Sequence, residues 1–245
     1  MHTTRNCRQC AATCGFTLIE FAIGMFLMSV LLSAILTPLT AQIEQRKVNE
    51  TQSSLAQITD ALMGFATAHG YLPCPDRTSG PGANDGIEDL NAGTTNCAVA
   101  EGNLPWVTLG IGGTDAWGNL FRYRASSAFT DRASPFRLTS AGTLNVQCPA
   151  GACGIATTYT NTAPAIVLSH GPNGYGAING QTRTANIAPT SNDELANIDG
   201  NTSFVSRSLT AAGSAAGEFD DLVVWLSTSI LLNKMIMAQI GRAHV

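Results

Sequence analysis

Gly15-Phe16-Thr17-Leu18-Ile19-Glu20 stands directly before an apolar run from Phe21 to Ile43, and the reading of that junction decides the fold. From Phe21 to Leu39 there are 19 residues without a charge, and an α-helix needs about 20 predominantly apolar residues to cross the core of a bilayer. The run therefore predicts a membrane-spanning helix. Glu20 is the anomaly, because an ionised carboxylate beside hydrocarbon is costly unless something pairs with it. Residues 1–15 carry Arg5 and Arg8 and no acid, a bias that places this end in the cytoplasm. A secretory signal peptide, with Thr40-Ala41 as its cleavage site, is the main rival. An acid at the start of the apolar region and a helical pattern that continues past its end both count against it.

The run GFTLIEFAIGMFLMSVLLSAIL resembles the amino terminus of type IV pilins and of the pseudopilins of type II secretion. The resemblance covers about the first fifth of the chain. It implies that a prepilin peptidase cuts between Gly15 and Phe16, that Phe16 becomes an N-methylated terminus, and that Glu20 is the fifth mature residue, with an assembly role. Pro38 lies one position later than the helix proline of major pilins. The partners implied are the prepilin peptidase, other pilin or pseudopilin subunits, the inner-membrane assembly platform and membrane lipid. The implied location is the bacterial inner membrane, single-pass, with a cytoplasmic N-terminus and a periplasmic C-terminal domain, followed by the pilus or pseudopilus.

Past Pro38 the positions Val48, Leu55, Ile58, Leu62, Phe65 and His69 step by seven, three, four, three and four, one stripe of an amphipathic helix. Gly70 is its natural stop. The expected fold is α+β, with a long N-terminal helix, half transmembrane and half amphipathic, packed on a small antiparallel sheet domain with long disulfide-stapled loops. The expected divisions are a leader over 1–15, an assembly helix over 16–39, an amphipathic continuation over 40–69, and a globular domain over 70–245. Strand-like runs are Trp106–Ile111, Leu120–Arg124, Phe136–Ser140, Ala165–Ser169 and Leu222–Leu226, and residues 228–240 read as a short closing helix.

The formal charge is -4, and without the leader 11 basic residues face 17 acidic ones. That balance excludes the basic surface that nucleic acid requires. Of seven cysteines, Cys7, Cys10 and Cys14 fall in the expected leader. The remaining Cys74, Cys97, Cys148 and Cys153 imply disulfides in a domain outside the cytoplasm. Four cysteines allow three connectivities. The local pairs Cys74–Cys97 and Cys148–Cys153 are favoured, since each closes a Gly- and Asn-rich loop.

Asp76, Asp85, Glu88 and Asp89 lie in the first of these loops without the spacing of an EF-hand, and read as solvated turn residues. Asp115-Ala116-Trp117-Gly118-Asn119 resembles the turn before a sheet strand in major-type pseudopilins, with Trp117 packing on the long helix. Glu218, Asp220 and Asp221 loosely resemble the acidic calcium loop of some pseudopilins; otherwise no cofactor is expected. Histidines at 2, 69, 170 and 244 form no metal or triad spacing, and G-x-S-x-G and H-E-x-x-H are missing, which argues against an enzyme. The expected function is a structural pilin-like subunit, minor pilin or pseudopilin. The alternative is a membrane-anchored periplasmic binding module that does not polymerise.

Overall fold

A computed structural model describes residues 17–243, apart from the side chains of 32–39 and 239–243. The chain divides into two compact units, Met1–Gln45 and Arg46–Val245. In chain order the elements are α1 (Leu18–His69), β1 (Glu101–Asn103), α2 (Trp106–Leu109), β2 (Arg122–Ala125), α3 (Ser127–Thr130), β3 (Leu144–Cys148) and α4 (Ala150–Cys153). Then follow β4 (Thr157–Ala163), β5 (Ala165–Ser169), α5 (Asn192–Leu195), β6 (Ser203–Val205), β7 (Leu222–Trp225) and α6 (Thr228–Ala243).

Two of the expectations are corrected. Among the described residues no helix is long and apolar enough to cross a membrane. That removes the transmembrane half of the expected architecture, and with it the single-pass inner-membrane location. The apolar side chains described at the start of α1 are those of residues 18–31. At about 1.5 Å per residue they rise roughly 21 Å, short of the approximately 30 Å hydrocarbon core. The small antiparallel sheet is also too simple. A four-stranded antiparallel sheet, ordered β1-β2-β5-β7, accompanies a three-stranded sheet ordered β4-β3-β6, in which β3 and β6 run parallel.

The second unit is built around the C-terminal part of α1. Leu55, Ile58, Leu62, Met63 and Ala66 are buried there with Tyr123, Ala125, Phe129, Ala165, Val167, Leu226 and Leu231 in one core cluster. Spacing by three and four puts the α1 members on one helix face. The stripe ends where Gly70, at φ 80°, donates its N–H to the carbonyl of Ala66. Only Gly adopts that left-handed geometry without cost, so the helix stops there.

The alternation of strand side chains then fills a second compartment. On β5, Ala165 and Val167 join the α1 cluster, while Ile166 and Leu168 join Leu144, Val146, Ala163 and Phe204. All five residues of β5 are buried, because both faces of this central strand are covered, as its unbroken apolar run requires. On β2 the residues that alternate with Tyr123 are Arg122 and Arg124, and both pair with Glu101.

Other strand expectations differ in part. Trp106–Leu109 is a helical turn, entered from Pro105 and closed by Gly110 at φ 69°; proline and glycine at its two ends explain why no strand forms. No strand covers 136–140, where Phe136 is buried as a single anchor. Leu222–Trp225 is half-buried rather than enclosed, since β7 lies at a sheet edge.

Candidate functional site

The start of α1 is a capping box. Thr17 donates its backbone N–H and its hydroxyl to Glu20 Oε2 at 2.9 and 2.8 Å, and Glu20 N–H reaches Thr17 Oγ1 at 3.3 Å. This T-x-x-E arrangement satisfies helix donors that would otherwise have no partner. The same bonds hold the Glu20 carboxyl below the usual range, the backbone bond contributing most. Sequence reasoning missed this local role, although the spacing of Thr17 and Glu20 was its signal. Gly15 and Phe16, the expected processing and methylation positions, lie outside the described residues, as do the leader cysteines Cys7, Cys10 and Cys14.

Beside this cap the helix is apolar and uncovered. Leu18 is 90% exposed, Phe26 67% and Met28 64%. Exposed apolar surface of this extent marks an interaction site rather than a finished surface.

Both disulfides are formed, Cys74–Cys97 and Cys148–Cys153. The first staples a loop in which Asp76, Glu88 and Asp89 are structural, while Asp85 is an exposed turn residue that accepts the Ile87 N–H. Asp76 is fully buried and accepts N–H groups from Asn84 and Gly86 at 3.0 and 2.9 Å. Burial pushes its carboxyl up to about 6. Asp89 pairs with Arg77 at 3.0 Å, and Glu88 with Arg132 at 2.5 Å.

Asp115 organises the turn before β2. Its Oδ1 accepts the N–H groups of Trp117 and Asn119, and its Oδ2 accepts the Ser169 hydroxyl at 2.6 Å. Burial raises its carboxyl above the ordinary range. The turn is tied to α1 by the Ala116 N–H, which donates to the buried Thr51 hydroxyl at 3.2 Å. Ser169, His170 and Asp221 are neighbours, yet the buried Ser169 hydroxyl is committed to Asp115 and His170 Nδ1 faces Asp221 at 3.3 Å. A serine nucleophile needs the opposite pairing, hydroxyl to imidazole, in an open site.

Of the three acids that resemble a calcium loop, Asp220 and Glu218 both accept from Asn173, while Asp221 accepts from Asn197. Asp221 Oδ2 accepts from Asn197 at 2.7 Å, Asp220 Oδ2 from the Asn173 backbone at 2.8 Å, and Glu218 Oε1 from the Asn173 amide at 3.4 Å. Calcium takes six to eight oxygens at about 2.3–2.6 Å from one point. Among the described residues no group of three or more His, Cys, Asp or Glu is placed to hold a metal. Each of the three holds an oxygen on an amide or backbone N–H donor of the protein. The residue sequence reasoning overlooked here is Glu194 on α5, buried to 1% exposure against Asp220. No local pattern points to it, since it reaches the cluster through tertiary folding. In comparisons with known proteins, no family model, no curated protein and no solved structure matches the chain.

Proposed function

We propose that this chain is a pilin-like structural subunit that assembles with other subunits through the N-terminal part of α1, after cleavage between Gly15 and Phe16 by a prepilin peptidase and methylation of Phe16. The observation that carries the reading is the uncovered apolar surface of residues 18–31, which starts at a well-formed helix cap. Helices of this kind are stable when like helices surround them, because tight packing replaces solvent on every side. Parallel copies of the same segment supply that environment, and the occupant of the apolar surface is another subunit of the same or a related type.

Glu20 then has a second partner in the assembly. Its carboxylate, held by Thr17 in the single chain, accepts the Phe16 amine of an adjacent subunit, so that two charges costly to bury alone neutralise each other. The pairing fixes the axial register between subunits. The disulfide-stapled domain decorates the filament, as a minor pilin or pseudopilin. The test is Glu20→Leu in the producing cell. Folding and accumulation of the subunit are expected to be unchanged, while recovery in sheared or purified fibres falls at least tenfold. Mass spectrometry is expected to find a mature chain beginning with methylated Phe16. Normal incorporation of the variant, or a chain that retains residues 1–15, refutes the reading.

A further inference from the structure

We propose that Glu194 and Asp220 share a single proton, and that this proton clasps the α5 turn onto the segment leading into β7. The two residues are 26 positions apart in sequence, and the Asp220 N–H donates to Glu194 Oε1 at 3.2 Å. Asn173 supports both carboxyls: its backbone N–H reaches Asp220 Oδ2 at 2.8 Å, and its amide reaches Glu194 Oε1 at 3.4 Å. One oxygen of each acid is thereby satisfied. The other two, Glu194 Oε2 and Asp220 Oδ1, are buried and accept no hydrogen bond from the protein. Asn173 and the Asp220 N–H thus hold the two carboxyl groups beside one another.

Two buried acceptors side by side, both ionised, repel in a medium that screens poorly. A single proton between them turns that repulsion into a hydrogen bond. The charged groups around the pair leave the proton as the neutraliser. Asp221 and Glu218 are further acids that push in the same direction. His170 faces Asp221. Arg207 is committed to Asp193 at 2.6 Å and to the carbonyls of Ala216 and Gly217. Gly171, at φ 57°, permits the close approach, because a Cβ there would stand 2.2 Å from the Asp220 carbonyl oxygen. Burial, more than any neighbour, raises both acids, and Asp220 is pushed up to about 8.

The sign of the linkage follows. The unfolded chain releases this proton near the ordinary aspartate value of about 4, whereas the folded chain keeps it to about 8. Between those limits the native state binds one proton more than the unfolded state, so stability falls as pH rises. The folding constant drops by up to tenfold per pH unit in that window. The clasp is closed in acid and at neutral pH and opens in alkali.

The test uses the full-length protein with two readouts. Infrared difference spectra of wild type against Glu194→Gln are expected to show a protonated carboxyl band at neutral pH that disappears above about pH 8. The midpoint of unfolding is expected to fall between about pH 5 and about pH 9 in wild type. It should fall less steeply in Glu194→Gln and Asp220→Asn, whose amides supply the missing N–H. If one variant fails to fold, the other supplies the difference spectrum against wild type, which separates this band from those of Asp76 and Asp115. A missing band at neutral pH overturns the proposal. So does a band abolished by millimolar calcium chloride with a rise in midpoint, which would place a cation between the two acids.

Discussion

Removal of the Cys74–Cys97 cross-link, by the double substitution Cys74→Ala with Cys97→Ala, tests how the long loop is held. The two cysteines are 23 positions apart, whereas Cys148 and Cys153 are five apart. In the chain-entropy treatment, a cross-link limits the unfolded ensemble more as the closed loop lengthens. The long loop then contributes about 3.4 kcal/mol and the short one about 2 kcal/mol. Local structure adds to the difference: Cys74 and Cys148 are buried alike, but Cys97 is half-buried whereas Cys153 is exposed. Alanine avoids placing a new hydroxyl in a buried position. Urea unfolding followed by the fluorescence of Trp106, Trp117 and Trp225 reports on the second unit alone, because all three lie within Arg46–Val245. With a denaturant slope of about 2 kcal/mol per molar, the midpoint is expected to fall by roughly 1.7 M for the long loop and 1 M for the short one. A Cys148→Ala, Cys153→Ala protein that loses as much as or more than the Cys74→Ala, Cys97→Ala protein would refute the loop-length reasoning.

Two further substitutions probe the packing. Gly86→Ala forces a side chain at φ 81° and a Cβ within 2.2 Å of the Trp106 ring; a loss of about 2–4 kcal/mol in the same urea assay is expected. Tyr123→Phe removes the buried hydroxyl that donates to the Pro73 carbonyl at 3.1 Å. It leaves that acceptor without its partner, and a loss of about 1–3 kcal/mol is expected from thermal unfolding.

The parts of this fold legible in the sequence were those set by short-range periodicity. The face of Leu55, Ile58 and Leu62, the stop at Gly70, and the run Ala165–Ser169 all declare themselves within a few residues. Trp106–Ile111 misled because a bulky apolar run suggests a strand, while Pro105 and Gly110 leave room for one helical turn. Thr157–Ala163 was invisible for the opposite reason: β4 is exposed along most of its length and carries no apolar alternation. Its place is fixed by pairing with β3. The parallel partnership of β3 with β6, across more than fifty residues, has no local trace at all. At the candidate sites, Glu20 stood out as an acid in an apolar setting, and its bond with Thr17 was there to be read as a capping box. Glu194 did not stand out, because its partner Asp220 is brought to it only by the assembled sheets. The membrane-length reading is corrected because, among the described residues, no helix is long and apolar enough to cross a membrane.

Because β5 hands alternate side chains to opposite compartments, it works as a party wall. A slip of one residue in its register would exchange Ala165 and Val167 for Ile166 and Leu168, overfilling one room while emptying the other. Neither room can be vacated without bringing the wall down, so the second unit is expected to melt in one step rather than floor by floor.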